Sequence, residues 1–232
     1  MISARNVVVR MGRCNVLDGV ALEVARGETV ALVGANGAGK TTFFRALLGL
    51  VPFEGAIAVD GVDVARDPVS AKQSVGYMPQ VPAFCEELAR DALSFIAALR
   101  GAPAKSVDAL LVRVGLAQYR RQPIRTFSTG MKQRLSLAAA LIGDPPLLLM
   151  DEPTASLDLR GQADFIALVH AQKRAGKTIL LTSHRAEEVR ELADRVIVVD
   201  AGRIVADGSV EDVAHRVWGD ATPRLAVVRG AS

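Results

Sequence analysis

The chain has 232 residues, half of them hydrophobic and only 4% aromatic, which suits one large domain with a core of Val, Leu, Ile and Ala. Its net charge of +3 and pI near 9.1 are compatible with an anionic ligand or a membrane surface. There is no basic stripe interleaved with aromatics, so no nucleic acid is expected as a partner. Cys14 and Cys85 have no metal-ligand spacing and suit a reducing compartment. Residues 1–6 lack the apolar core of a signal peptide and no apolar run approaches 18 residues. The expected location is cytoplasmic, with any membrane role falling to a separate partner.

Residues 5–10 and 16–24 read as two strands, the first through Val7, Val8 and Val9, the second through Val16, Val20, Leu22 and Val24 around a turn at Asp18-Gly19. An antiparallel start of this kind gives an α/β domain a β-rich flank. Residues 28–33 read as a short buried strand, and residues 34–41 match G-x-x-x-x-G-K-[ST], the phosphate-binding P-loop. From Lys40 onward Phe43, Phe44, Ala46 and Leu47 begin a helix. Strand, glycine turn and helix N-terminus are the context this motif needs. Gly34, Gly37 and Gly39 let the backbone N–H groups converge on an anion, and the helix N-terminus adds positive potential. Lys40 is placed to reach the β- and γ-phosphates and the Thr41 hydroxyl to ligate Mg²⁺.

Gly49 and Pro52 end that helix. Residues 56–59 and 62–64 flank Asp60-Gly61, a hairpin signal. Residues 68–73 suggest a short helix, and 74–78 a buried strand ending at Pro79-Gln80. Residues 81–126 change character. Leu88, Ala92, Phe95, Ile96 and Leu99 repeat as one helical face; Gly101 and Pro103 break it; Val107, Leu110, Leu111 and Val114 form a second face, closed by Gly115. A long helix from Ser128 runs through Leu135, Leu137, Ala138, Leu141 and Ile142 until Asp144-Pro145-Pro146 stops it. These helices read as an insertion, about residues 81–145, between two halves of an α/β core.

The apolar run Leu147-Leu148-Leu149-Met150 delivers Asp151 and Glu152. Asp151 lies 111 residues after Lys40 (151 − 40), where a strand-end carboxylate can hold Mg²⁺ and its neighbour can polarise an attacking water. Helices are expected at 163–175 and 186–193, and strands at 178–182, 195–199 and 203–206. His184 follows a buried strand end; alone, such a histidine is more often a satisfied hydrogen-bonding residue than a catalytic one. Ser209-Val210-Glu211-Asp212 resembles a helix start. The tail is small and polar, with a stray strand at 225–228.

With these motifs in this order, over about residues 4–216, the chain resembles the ATP-binding cassette ATPases, the nucleotide-binding subunits of ABC transporters. The P-loop is 34–41, the Q-loop residue Gln80, and the signature segment Phe127-Ser128-Thr129-Gly130-Met131-Lys132-Gln133-Arg134. The Walker B strand is 147–151 followed by Glu152, the D-loop is Ser156-Leu157-Asp158, and the switch histidine is His184. The resemblance implies a P-loop NTPase core with an antiparallel β flank and a helical subdomain insertion, residues 1–216 forming the nucleotide-binding domain and 217–232 a C-terminal tail.

The resemblance further implies a composite site in which two subunits, identical or paralogous, sandwich two Mg-ATP. Gly34, Asn36, Gly37, Ala38, Gly39, Lys40, Thr41 and Thr42 would cradle the phosphates. Thr41, Gln80 and Asp151 would manage Mg²⁺, with Glu152 as base. Lys40 and His184 would stabilise γ-phosphate charge. Ser128 and Gly130 would act in trans and Asp158 would couple the subunits. A separate membrane-spanning permease would do the transport, meeting the helical insertion near Phe84, Glu86 and Glu87. The protein would then be peripheral on the inner face of the cell membrane.

Two features depart from the family pattern. An aromatic residue usually stacks on adenine 23 residues ahead of the first P-loop glycine; here that position (34 − 11) is Met11, whose thioether can pack on a ring. The signature carries Thr129 and Met131 for a Gly and a Gln. This Ser-x-Gly-Met form is similar to exporters of the ABC-2 type, which move drugs, lipids, polysaccharides or ions, and to the ATPase of the copper-linked system serving nitrous oxide reductase maturation. A soluble ATPase of the same fold, acting on DNA or ribosomes, is the competing class. Its chromosomal members need a long coiled coil between P-loop and Walker B, and its translation members two cassettes. A GTPase is disfavoured by the lack of Asn-Lys-x-Asp.

Overall fold

A computed structural model describes residues 1–82, 84 and 87–213. The expected strand at 225–228, the tail, Cys85 and Glu86 lie outside these. The strands are β1 (Ile2–Met11), β2 (Cys14–Val24), β3 (Thr29–Val33), β4 (Glu54–Val59), β5 (Val62–Asp63), β6 (Val75–Met78), β7 (Leu147–Asp151), β8 (Thr178–Thr182), β9 (Arg195–Asp200) and β10 (Arg203–Ser209). The helices are α1 (Lys40–Leu47), α2 (Pro68–Gln73), α3 (Ala89–Leu99), α4 (Lys105–Arg113), α5 (Thr129–Ala140), α6 (Leu159–Arg174) and α7 (Ala186–Leu192).

The strands form two sheets. One is antiparallel, in the order β2-β1-β4-β5; the other runs β10-β9-β3-β8-β7-β6 and is parallel except for β10. The central strands β3, β7 and β8 are buried at every residue, as continuous apolar runs in a doubly covered parallel sheet should be. Their side chains divide by alternation. Ala31, Leu148, Met150, Ile179 and Leu181 face a core shared with α3, α4, α5 and α6. Val30, Leu32, Leu147, Leu149 and Leu180 face a second core shared with α1 and the antiparallel sheet. Phe43 and Phe44 of α1 are fully buried in that second core, each contributing about 2–3 kcal/mol by area.

The hairpin at Asp60-Gly61 forms as expected, with φ of 53° and 82°, the positive values that a two-residue turn between twisted strands requires. Elsewhere the structure corrects the sequence reading. Asp18-Gly19 is not a turn within the second strand: β2 continues through it. Val7 pairs with Val20 and Val9 with Leu17, so β2 carries one residue more than β1 over this stretch. That is a bulge, with Gly19 in the left-handed region. The Asp18 N–H consequently turns to the Gly202 carbonyl, 2.9 Å away, tying the two sheets together.

The inward face of α3 is also different. Ala89, Ala92, Leu93 and Ala97 are buried, while Phe95 and Leu99 are 66% and 71% exposed. Small side chains let α3 approach the core closely, and the large apolar residues that dominate the periodicity are left outside. The second face, Val107, Leu110, Leu111 and Val114, is buried as expected. Helix α5 stops at Ala140, ahead of Gly143 and the prolines. Helix α6 starts at Leu159 rather than 163, because the Asp158 side chain accepts the Gly161 N–H at 2.9 Å and caps it.

Candidate active site

Strands β3, β8 and β7 are adjacent and parallel, so their carboxyl ends open on one rim, where ligands of open α/β sheets bind. β3 leads into the P-loop, β7 ends in Asp151 and Glu152, and β8 ends in Thr182, Ser183 and His184.

The P-loop is fixed from below by close packing. A Cβ on Gly34 would lie 2.1 Å from the Val199 carbonyl oxygen, and one on Gly39 would lie 2.8 Å from that of Val16. Gly39 also has φ of 106° and leads directly into α1. Asn36 and Gly37 are exposed at the loop's tip and Ala38 is buried beneath it; the Ala38 carbonyl accepts the Gly202 N–H at 3.1 Å. The Lys40 ammonium donates to the carbonyls of Gly34 (2.8 Å) and Ala35 (3.1 Å) and stands 4.0 Å from Glu152 Oε1. It is only 7% exposed, so these contacts supply its partners. Thr41 and Thr42 are half-buried in the first turn of α1.

Asp151 is gripped from both sides. The Thr41 hydroxyl donates to Oδ2 at 2.8 Å and the Thr182 hydroxyl to Oδ1 at 2.7 Å. Thr182 also accepts the Glu152 N–H at 2.9 Å. One buried hydroxyl thus orients both acids. Burial first, and then the field of Asp151, push the Tyr77 hydroxyl up to about 12. Glu152 sits at φ 48°, an uncommon conformation for a residue with a side chain. Its carboxylate is nearly buried, and Oε2 meets His184 Nδ1 at 2.7 Å.

The structure therefore brings Lys40, Thr41, Asp151, Glu152 and His184 together. Gln80 is exposed two residues beyond β6, on the same rim because Met78 pairs with Met150. Met11 ends β1, 46% exposed, at the tip of the hairpin paired to Cys14. Ser128, Gly130 and Asp158 are elsewhere. Ser128 caps α5 through the Met131 N–H at 3.3 Å. These three residues line a groove of about 660 Å³ together with Ser156, Arg160 and Asp164, and no P-loop residue lines it. The sequence reading missed Thr182. Its only signal is its place as the last residue of an apolar run, and its role follows from pairing opposite Asp151 in the ladder.

The family model described as "ABC transporter" matches residues 17–155, from β2 to just beyond Glu152. The chain belongs to the ABC transporter family. It is similar to the daunorubicin resistance ATP-binding protein DrrA3 of Streptomyces coeruleorubidus, 42% identical over 217 residues, covering 91% of this chain and 69% of that one. It is also similar to the linearmycin resistance ATP-binding protein LnrL of Bacillus subtilis (strain 168), 35% identical over 233 residues, 98% of this chain and 75% of that one. Among solved structures, a bacterial Atm1-family ABC exporter with ATP bound superposes with a TM-score of 0.83 at 30% identity, over 93% of this chain and 39% of that one.

As an ABC transporter ATPase the chain binds and hydrolyses ATP with Mg²⁺, working with a separate membrane permease subunit. The oxygen donors of Thr41 and Asp151 suit a hard cation. Among the described residues no helix is long and apolar enough to cross a membrane.

Proposed function

We propose that two copies of the chain, or one copy and a paralogue, close around two Mg-ATP and so drive export by a membrane-spanning partner of the ABC-2 type. The observation that carries this reading is the separation of two half-sites in one chain. The rim at β3, β8 and β7 holds a phosphate cradle and an oriented carboxylate. The groove at Ser128, Gly130 and Asp158 holds a capped helix N-terminus with no cradle. A second copy, turned to face the first, brings one half-site to the other.

In the closed dimer the P-loop amides from Gly34 to Gly39, with Lys40 and Thr42, bind the phosphates. Mg²⁺, when held by Thr41, Asp151 and Gln80, neutralises phosphate charge. Glu152 accepts the proton of the attacking water, and His184 holds that carboxylate through Nδ1. Ser128 and Gly130 of the partner subunit bind the γ-phosphate, and Asp158 couples the two copies. Met11 packs against the adenine in place of an aromatic ring. The resistance functions named for the two relatives support an exporter. The exposed Phe95 and Leu99 form the face offered to the permease, which would hold the protein on the cytoplasmic side of the membrane.

The test is Glu152→Gln. Hydrolysis should fall by roughly 10²–10⁴-fold, the usual worth of general-base help, and light scattering should find a dimer with Mg-ATP but a monomer without it. Hydrolysis at the parent rate would overturn the reading of Glu152 as base, and a monomer under saturating Mg-ATP would overturn the pairing of two identical copies and leave a paralogue as the partner.

A further inference from the structure

Behind the hydrolytic carboxylate lies a second buried acid. Glu188, on α7, is 3% exposed. Its Oε2 accepts the Ser183 hydroxyl at 2.6 Å, and Ser183 in turn accepts the Arg185 N–H at 3.1 Å. Ser183 is fully buried and immediately precedes His184. On the other side stands Thr154, 1% exposed, two residues after Glu152. Among the described residues neither Thr154 Oγ1 nor Glu188 Oε1 has a hydrogen-bond partner of normal geometry, yet the two groups are close enough for the hydroxyl to influence the acid. Leaving two buried oxygens without partners is costly unless they serve one another.

We propose that Glu188 is a positioning residue: it bridges Thr154 and Ser183, ties the loop bearing Glu152 to the loop bearing His184, and so holds the His184 Nδ1 to Glu152 Oε2 contact. This rests on the reading of Glu152 as the base. The chemistry of the bridge is consistent. Burial raises the pKa of Glu188, the hydroxyls of Ser183 and Thr154 oppose the rise, and the nearby charge of Glu152 adds to it. Oε2 takes the Ser183 hydroxyl, which leaves Oε1 for the Thr154 hydroxyl. Glutamine keeps a polar group for each hydroxyl, and leucine offers neither.

The experiment compares Glu188→Gln, Glu188→Leu, Thr154→Val and Glu152→Gln, each measured for Mg-ATP affinity and for kcat. Glu188→Leu should lower kcat by roughly ten- to a hundredfold, the cost of a misplaced reacting group, while Mg-ATP affinity stays within about twofold of the parent on this account. Glu188→Gln should restore kcat to near the parent value, and Thr154→Val should lower kcat in the same direction as leucine. If the leucine variant does not fold, Thr154→Val and Ser183→Ala, which remove one hydroxyl each, carry the test. A kcat unchanged in Glu188→Leu, or in both hydroxyl variants, overturns the bridge. So does a Gln variant no better than Leu, or an affinity lost in parallel with kcat. Glu152→Gln separates the two readings: if it hydrolyses normally the base assignment fails by itself, and any loss at Glu188 then acts through something other than Glu152.

Discussion

Thr182 shows how much of the site depends on a single hydroxyl. It donates to Asp151 and accepts from the Glu152 backbone, so its removal loosens both acids together, the one proposed to hold Mg²⁺ and the one proposed as base. Thr182→Val keeps the shape of the buried strand end and deletes only those bonds. ATP hydrolysis should fall by roughly tenfold or more, with a higher Mg²⁺ requirement, because a charge-linked hydrogen bond is worth about 1.5–3 kcal/mol. An Mg²⁺ titration of hydrolysis checks it; an unchanged curve would show that Thr41 alone suffices to orient Asp151. The acids themselves were legible in the sequence, since an apolar run ending in two carboxylates after a P-loop has one chemical use. Thr182 and Glu188 were not, because each acts on a residue about 30 positions or more away in the chain and the link exists only once β7 and β8 pair in register.

At the scale of elements, the strands were read from the sequence more faithfully than the helix faces. A strand in a doubly covered sheet is an apolar run, and β3, β7 and β8 have no polar side to misassign. The hairpin turn at Asp60-Gly61 likewise declares itself through residues that tolerate positive φ. Helix α3 misleads because periodicity weights Phe95 and Leu99 above the alanines, whereas close approach to the core favours Ala92 and Ala97. The difference can be measured. Ala97→Leu should destabilise the protein by about 1–3 kcal/mol through overpacking, and Phe95→Ser should stay within about 0.5 kcal/mol as a surface change. Urea denaturation of both variants decides it, and the reverse order would place the Phe95 face inward. Helix α6 carries the same lesson at its start: Asp158 caps it, so the residue assigned to subunit coupling also sets where the helix begins.

At the scale of the whole molecule, one sheet rim gathers the P-loop, Asp151, Glu152 and His184, and a separate groove holds the helix start that we propose completes the site from the partner subunit. The exposed apolar residues of α3 lie on neither. The proposed function gives the molecule three surfaces to fill: nucleotide on the rim, a second ATPase subunit across the groove, and the permease on the helical face. The most direct measurement is a mild-detergent pull-down of the Glu152→Gln protein with Mg-ATP, followed by identification of what is bound. Our account predicts recovery of a multi-spanning membrane protein together with a second ATPase subunit, and loss of the membrane protein, but not of the second ATPase subunit, when Phe95 and Leu99 are both changed to Ser. Recovery of ribosomes, DNA or soluble proteins with no membrane partner would contradict it and point instead to a non-transport ATPase of the same fold.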